Sequence, residues 1–203
     1  MLAAGMLLFA GGIVLFGQAP TRPADPVVVM IPSDGDVYIG RNVFTREEVL
    51  IEIEKRLKGV PEDQRIVYIK AAEEVRFETV TGVIDDLRAK GLKRIGILAE
   101  KKEGRLAGDF EPGLGVGSLA LRENYGLTVS VEPIPQGSVG VKVGNVNVRL
   151  RDLSDTVHTR LKGQQNKSVM IQAPGSTRWG RIVDVIDSVK AGGAEVIGMR
   201  ARP

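Results

Sequence analysis

Residues 77–96, FETVTGVIDDLRAKGLKRIG, are written a second time as residues 179–198, WGRIVDVIDSVKAGGAEVIG. The two stretches align without a gap. Val83, Ile84, Asp85, Ala89, Gly91, Ile95 and Gly96 reappear as Val185, Ile186, Asp187, Ala191, Gly193, Ile197 and Gly198. The register runs backwards as well: Val67, Ile69, Ala71 and Arg76 recur as Val169, Ile171, Ala173 and Arg178, at the same offset of 102 residues. A constant offset across a whole strand-helix-strand stretch marks an internal duplication.

Each copy has a direct physical reading. Val80, Val83, Ile84 and Leu87 fall at i, i+3, i+4 and i+7, the apolar stripe of an amphipathic helix. Gly91 stands where a left-handed C-cap belongs, and Arg88 and Lys90 suit the negative end of the helix dipole. Residues 94–99 and 67–69 read as buried strands on either side. A strand, a helix and a strand with short connections form a right-handed crossover. The expected fold class is therefore α/β, an α+β two-layer domain present twice.

Working outward, Val27–Ile31 is an apolar β-branched run. Asp34-Gly35 supplies a hairpin turn, and Val37, Ile39 and Val43 suit a returning strand. Thr45-x-x-Glu48 is a capping box before a helix carrying Val49, Leu50, Ile53 and Leu57, with Gly59 closing it. The second copy repeats this plan with residues 127–131 and 139–148, then Leu153, Val157 and Leu161, ended by Gly163. Leu57-Lys58-Gly59 returns as Leu161-Lys162-Gly163, so the loop before the central strand is two residues shorter in the second copy. Each copy is expected to be ββαβαβ, one sheet with two helices on one face.

Residues 1–17, MLAAGMLLFAGGIVLFG, hold no charged side chain and have the minimal length of a membrane span. A signal peptide cleaved near Ala19 is the alternative. No Lys or Arg precedes the apolar run, and Pro20 would be the first mature residue, so a retained anchor is preferred. Residues 18–26, with three prolines, read as a stiff linker. The organisation expected is an anchor helix over 1–18, a Pro-rich linker over 19–26, a first domain over 27–100, a Gly-rich linker over 101–126 and a second domain over 127–203.

Composition narrows the function. The chain has 203 residues, no cysteine, one histidine and a net charge of +3. Disulfides and thiolate chemistry are excluded, and a two-histidine zinc site is excluded with them. The few aromatics are not interleaved with basic residues, which argues against nucleic acid. Gly113-x-Gly-x-Gly lacks the preceding strand and following helix that a phosphate cradle needs. His158 lies on the first helix of copy two, at the position of Glu54 in copy one, and reads as solvated. Asp85 and Asp86 are adjacent on a helix and diverge by about 100°, so they cannot act as a paired acid and base. Asp85 and Asp187 recur, as do Arg76 and Arg178 at the mouth of the second helix. Cations there oppose the helix dipole, which points to a partner carboxylate in the domain or on a ligand. These four are the candidate partner-binding or structural residues. No catalytic residue, cofactor or metal ligand is expected, and the chain does not read as an enzyme.

The order of one N-terminal span, a Pro-rich linker and an α/β domain resembles the ExbD/TolR biopolymer-transport family. The resemblance rests on Ile69-Lys70-Ala71, Val75-Arg76-Phe77, the helix Val80, Val83, Ile84, Asp85 and then Ala89-Lys90-Gly91. In copy two it rests on residues 179–187 and Ala191-Gly192-Gly193. Residues 34–40 look like the family's hairpin, and Thr45-x-Glu47-Glu48 like its helix start. The resemblance implies a subunit of a proton-motive-force-coupled energy-transducing complex, single-pass in the bacterial inner membrane, with its C-terminal domains in the periplasm. Implied partners are an ExbB/TolQ-like channel-forming membrane protein and a TonB/TolA-like protein or peptidoglycan. The chain is expected to form a homodimer, or an internal pseudo-dimer if open sheet edges pair copy one with copy two. A soluble periplasmic binding module, released by cleavage, is the other reading.

Two positions depart from the family pattern. The aspartate of its Arg-Ala-Asp motif is Ala72 here and Pro174 in copy two. Its membrane-embedded aspartate has no counterpart in residues 1–17, although an intramembrane carboxylate is costly and kept for function. The expectation drawn from this is a reading frame that begins upstream of Met1.

Overall fold

The computed structural model describes residues 26–98, 125–133 and 139–203. The anchor and Pro-rich linker, and nearly all of the Gly-rich linker, lie outside the described residues. Among the described residues, no helix is long and apolar enough to cross a membrane.

The first unit contains β1 (Val27–Ile31), β2 (Val37–Ile39), β3 (Asn42–Phe44), α1 (Arg46–Arg56), β4 (Val67–Ala71), α2 (Phe77–Ala89) and β5 (Ile95–Leu98). The second contains β6 (Leu127–Pro133), β7 (Val139–Val143), β8 (Val146–Val148), α3 (Leu153–Leu161), β9 (Ser168–Pro174), α4 (Trp179–Ala191) and β10 (Val196–Arg202). The sheets have the orders β3-β2-β1-β4-β5 and β8-β7-β6-β9-β10, one plan used twice. In each, three parallel strands are joined by helical crossovers, and two antiparallel strands extend one edge. The α+β class and its duplication are thus present in the fold itself.

One detail departs from the ββαβαβ expectation. The returning strand expected across Val37, Ile39 and Val43 is broken into β2 and β3, so each unit has five strands rather than four. The break is at Gly40, with φ of 65°, and its counterpart Gly144, with φ of 60°. A two-residue hairpin turn needs that left-handed conformation, which glycine adopts without steric cost. The remaining positive-φ glycines among the described residues are two more such pairs, Gly59 with Gly163 and Gly91 with Gly193.

The helices form where the stripes require. Thr45 Oγ1 accepts from the Glu48 amide at 3.3 Å while Glu48 returns a carboxylate to the Thr45 amide at 2.9 Å, completing the capping box of α1. Val80, Val83, Ile84 and Leu87 of α2 are all buried, as are Ile182, Val185, Ile186 and Val189 of α4. They pack with the alternate strand residues Val27, Val29, Ile31, Val67 and Ile69 and their counterparts. At about 25 cal/mol per Å² of apolar surface, each fully buried Val, Leu or Ile stabilises by roughly 1.5–3 kcal/mol. The buried apolar side chains of both units, Met170 excepted, belong to one cluster.

Candidate functional site

The two units meet where α2 and α4 begin, and that joint is the candidate site. An α-helix leaves its first N–H groups without intrahelical acceptors. Neither helix has a side-chain cap on its own N-cap residue, Arg76 or Arg178. Each borrows acceptors from the other unit instead. The Phe77 amide donates to the Thr177 carbonyl at 2.8 Å, and the Trp179 amide donates to the Val75 carbonyl at 2.7 Å. One residue further, Glu78 donates to the Gly175 carbonyl at 3.0 Å and Gly180 to the Glu73 carbonyl at 2.9 Å. Every bond recurs with the units exchanged, and Arg76 and Arg178 form an antiparallel bridge at the centre.

The aromatic residues that open the helices fill this joint. The Phe77 and Trp179 rings stack with centroids 6.3 Å apart and planes inclined by 19°, and both are buried. The Trp179 Nε1 is buried without a hydrogen-bond partner among the described residues. Stacking of this kind adds about 0.5–1.5 kcal/mol to the burial itself.

This arrangement gathers two positive helix ends and two arginines, so carboxylates are needed nearby. Asp34, on the β1–β2 turn, accepts from the Arg76 amide at 2.8 Å and the Thr79 hydroxyl at 2.9 Å through Oδ1, and from Arg76 Nε at 3.1 Å through Oδ2. The Arg76 amide above all holds the Asp34 carboxyl below its ordinary value; burial, the next largest effect, opposes it, and the Thr79 hydroxyl and the Arg76 guanidinium add to the lowering. Arg76 also meets Glu78 at 2.6 Å, and Arg178 meets Glu74 across the joint at 2.6 Å. Beside Asp34 opens a cleft of about 290 Å³ lined by Ser33, Asp36, Arg46, Arg76 and Glu78 among others. Arg46 lies over Gly82, where a Cβ would come within 2.7 Å of its guanidinium, and pairs with Asp86.

Of the four candidates read from the sequence, Arg76 and Arg178 come together here. Asp85 and Asp187 do not; both face solvent on the far sides of their helices, and Asp85 pairs with Arg88 at 3.5 Å. His158 and Glu54 are likewise exposed. The two units meet by another route than the open edges expected. Strands keep to their own sheets, and the contact is made by the turns before α2 and α4, whose helix-end N–H groups donate to carbonyls of the other unit. Sequence reasoning missed Asp34, Glu73, Glu74 and Glu78; the acidic run ahead of Arg76 was the available signal.

Comparison with known proteins bears on the first unit. Residues 17–102 match the family described as Biopolymer transport protein ExbD/TolR. This segment is similar to the ExbD/TolR family. Among similar proteins, the Biopolymer transport protein ExbD of Neisseria gonorrhoeae is 31% identical over 83 residues, covering 40% of this chain and 57% of that protein. The ExbD of Escherichia coli K12 is 26% identical over 80 residues, covering 39% of this chain and 55% of that protein. The chain therefore spans little more than half the length of the curated relatives it matches. Asp34, Arg76 and Asp85 lie inside the matched segment. Arg178 and Asp187 lie in the second unit, which carries the same strand order and the repeated register.

Proposed function

We propose that this chain is a membrane-anchored ExbD/TolR-like subunit of a proton-motive-force-coupled energy-transducing complex, its paired units binding a partner protein or peptidoglycan on the periplasmic side of the inner membrane. The observation that carries the reading is the match of residues 17–102 to the family described as Biopolymer transport protein ExbD/TolR. The uncharged apolar run of residues 1–17 and the Pro-rich stretch after it supply an anchor and a spacer in the order such a subunit needs. In the membrane its partner is an ExbB/TolQ-like channel-forming protein. Its role is transport-associated and non-enzymatic.

The test is membrane fractionation followed by affinity purification of the full chain from cells that also produce a channel-forming partner of the ExbB/TolQ type. The expected result is a chain retained in membranes after a high-salt wash and recovered with the partner. Full release by salt with residues 1–17 still attached, or recovery without the partner, would overturn the reading.

The internal pair takes the place of a homodimer in this reading. Light scattering on the chain from Pro26 onwards should then give a monomeric mass at high concentration. A stable dimer mass would mean that a further surface pairs whole chains.

A further inference from the structure

The joint is reciprocal in its backbone but not in its side chains. Glu73 and Glu78 of the first unit correspond to Gly175 and Gly180 of the second at the 102-residue offset. Across the joint each glutamate lies over a glycine. A Cβ built on Gly180 would stand 2.9 Å from the Glu73 Cβ, and one built on Gly175 would stand 3.0 Å from the Glu78 Cβ. Those separations leave no room for a side chain on the glycine side. Glu74 has Ser176 as its counterpart, and it is Glu74 that neutralises Arg178 across the joint.

We propose that the joint has diverged into complementary halves, so that the first unit's joint surface recognises a second unit and rejects a copy of itself. Two first units joined in this way would set Glu78 against Glu73 twice, carboxylate over carboxylate in space that holds only one. Two second units would set Gly180 against Gly175 twice. That pairing leaves the space the glutamates fill empty and brings two arginines and two helix N-termini together without Glu74 or the other glutamates that the first unit supplies. Only the mixed pair fills the volume and balances the charge. Specificity of this kind comes as much from rejecting the wrong partner as from fitting the right one. Within one chain the second unit is always at hand, so the first unit's joint surface is closed to first units of other chains.

The experiment uses the full chain carrying Glu73→Gly, Gly180→Glu, or both together. Readouts are the thermal midpoint and the emission of Trp179, the single tryptophan of the sequence. Gly180 is the second residue of α4, where a glutamate improves helix propensity and suits the dipole. If the joint imposed nothing, Gly180→Glu would raise the midpoint. The expected result is the opposite sign: a fall of roughly 5 °C with a red shift of Trp179. The double variant, which places the glutamate on the other side over a new glycine, should regain at least half of both changes. A midpoint for Gly180→Glu at or above that of the parent, with unchanged emission, would overturn the proposal. So would a double variant as impaired as the single variants combined. If Gly180→Glu alone does not fold, the double variant decides: folded supports the complementary halves, unfolded overturns them.

Discussion

Asp34 holds the N-cap residue of α2, Arg76, which lies 42 positions after it: its carboxylate accepts the Arg76 amide and the Thr79 hydroxyl, so the hairpin turn of β1 and β2 is tied to the start of α2. The second copy has no equivalent carboxylate, because the corresponding segment 134–138 reads IPQGS. Replacing Asp34 by Ala should cost about 1 kcal/mol, the usual net worth of a side-chain hydrogen bond. Urea denaturation of the full chain measures it, and an unchanged midpoint would remove Asp34 from the joint.

The same carboxylate gives a pH dependence with a definite sign. Its folded-state pKa is depressed, so its contribution is fully present above the ordinary aspartate value, about 3.9, and is lost as pH falls through the lower folded value. Thermal midpoints of the parent and Asp34→Asn should therefore draw together below about pH 4 and stay apart above it. A constant gap down to pH 2.5 would show that the carboxylate carries no special charge interaction.

At the aromatic pair, Trp179→Ala should cost about 3–5 kcal/mol, since it empties a fully buried site and removes the stack on Phe77. Trp179→Phe should cost about 1 kcal/mol, because the lost volume is partly offset by removal of a buried N–H that has no partner among the described residues. Equilibrium unfolding of the two variants, followed by circular dichroism, separates these values. Equal losses would mean that ring stacking adds nothing.

Gly40→Ala and Gly144→Ala should each cost about 1–2 kcal/mol, because both positions hold a left-handed backbone in which a Cβ is strained. Among the described residues no atom lies within 4 Å of where a Cβ would stand at either glycine, so backbone strain is the effect expected. Similar losses in the two variants, read from denaturant midpoints, would confirm that the β2–β3 and β7–β8 turns are the same device. A cost in one copy alone would break that equivalence.

Much of this was legible in the residues. The stripe Val80, Val83, Ile84, Leu87 predicted a helix, and all four are buried; Thr45 and Glu48 predicted a capping box, and both of its bonds are present. The recurrence of Arg76 as Arg178 pointed to partner carboxylates, although neither those carboxylates nor the joint could be named from it. Asp34 is 42 residues from Arg76 and Gly180 is 107 from Glu73, and periodicity carries no information at such separations. The split between β2 and β3 was missed for a local reason. Val37, Ile39 and Val43 keep a strand-like composition across Gly40, and only the positive φ reveals the turn.

The exchange of acceptors at the joint also sets a schedule for biosynthesis. Phe77 leaves the ribosome 102 residues before Trp179. At about 5–20 residues per second, α2 then waits roughly 5–20 s with two donors unsatisfied and an aromatic ring uncovered. During that interval the nascent first half presents the surface that its own second half will later occupy. Neighbouring chains on one messenger present the same surface, and the glutamates at its rim keep those unfinished halves from joining each other.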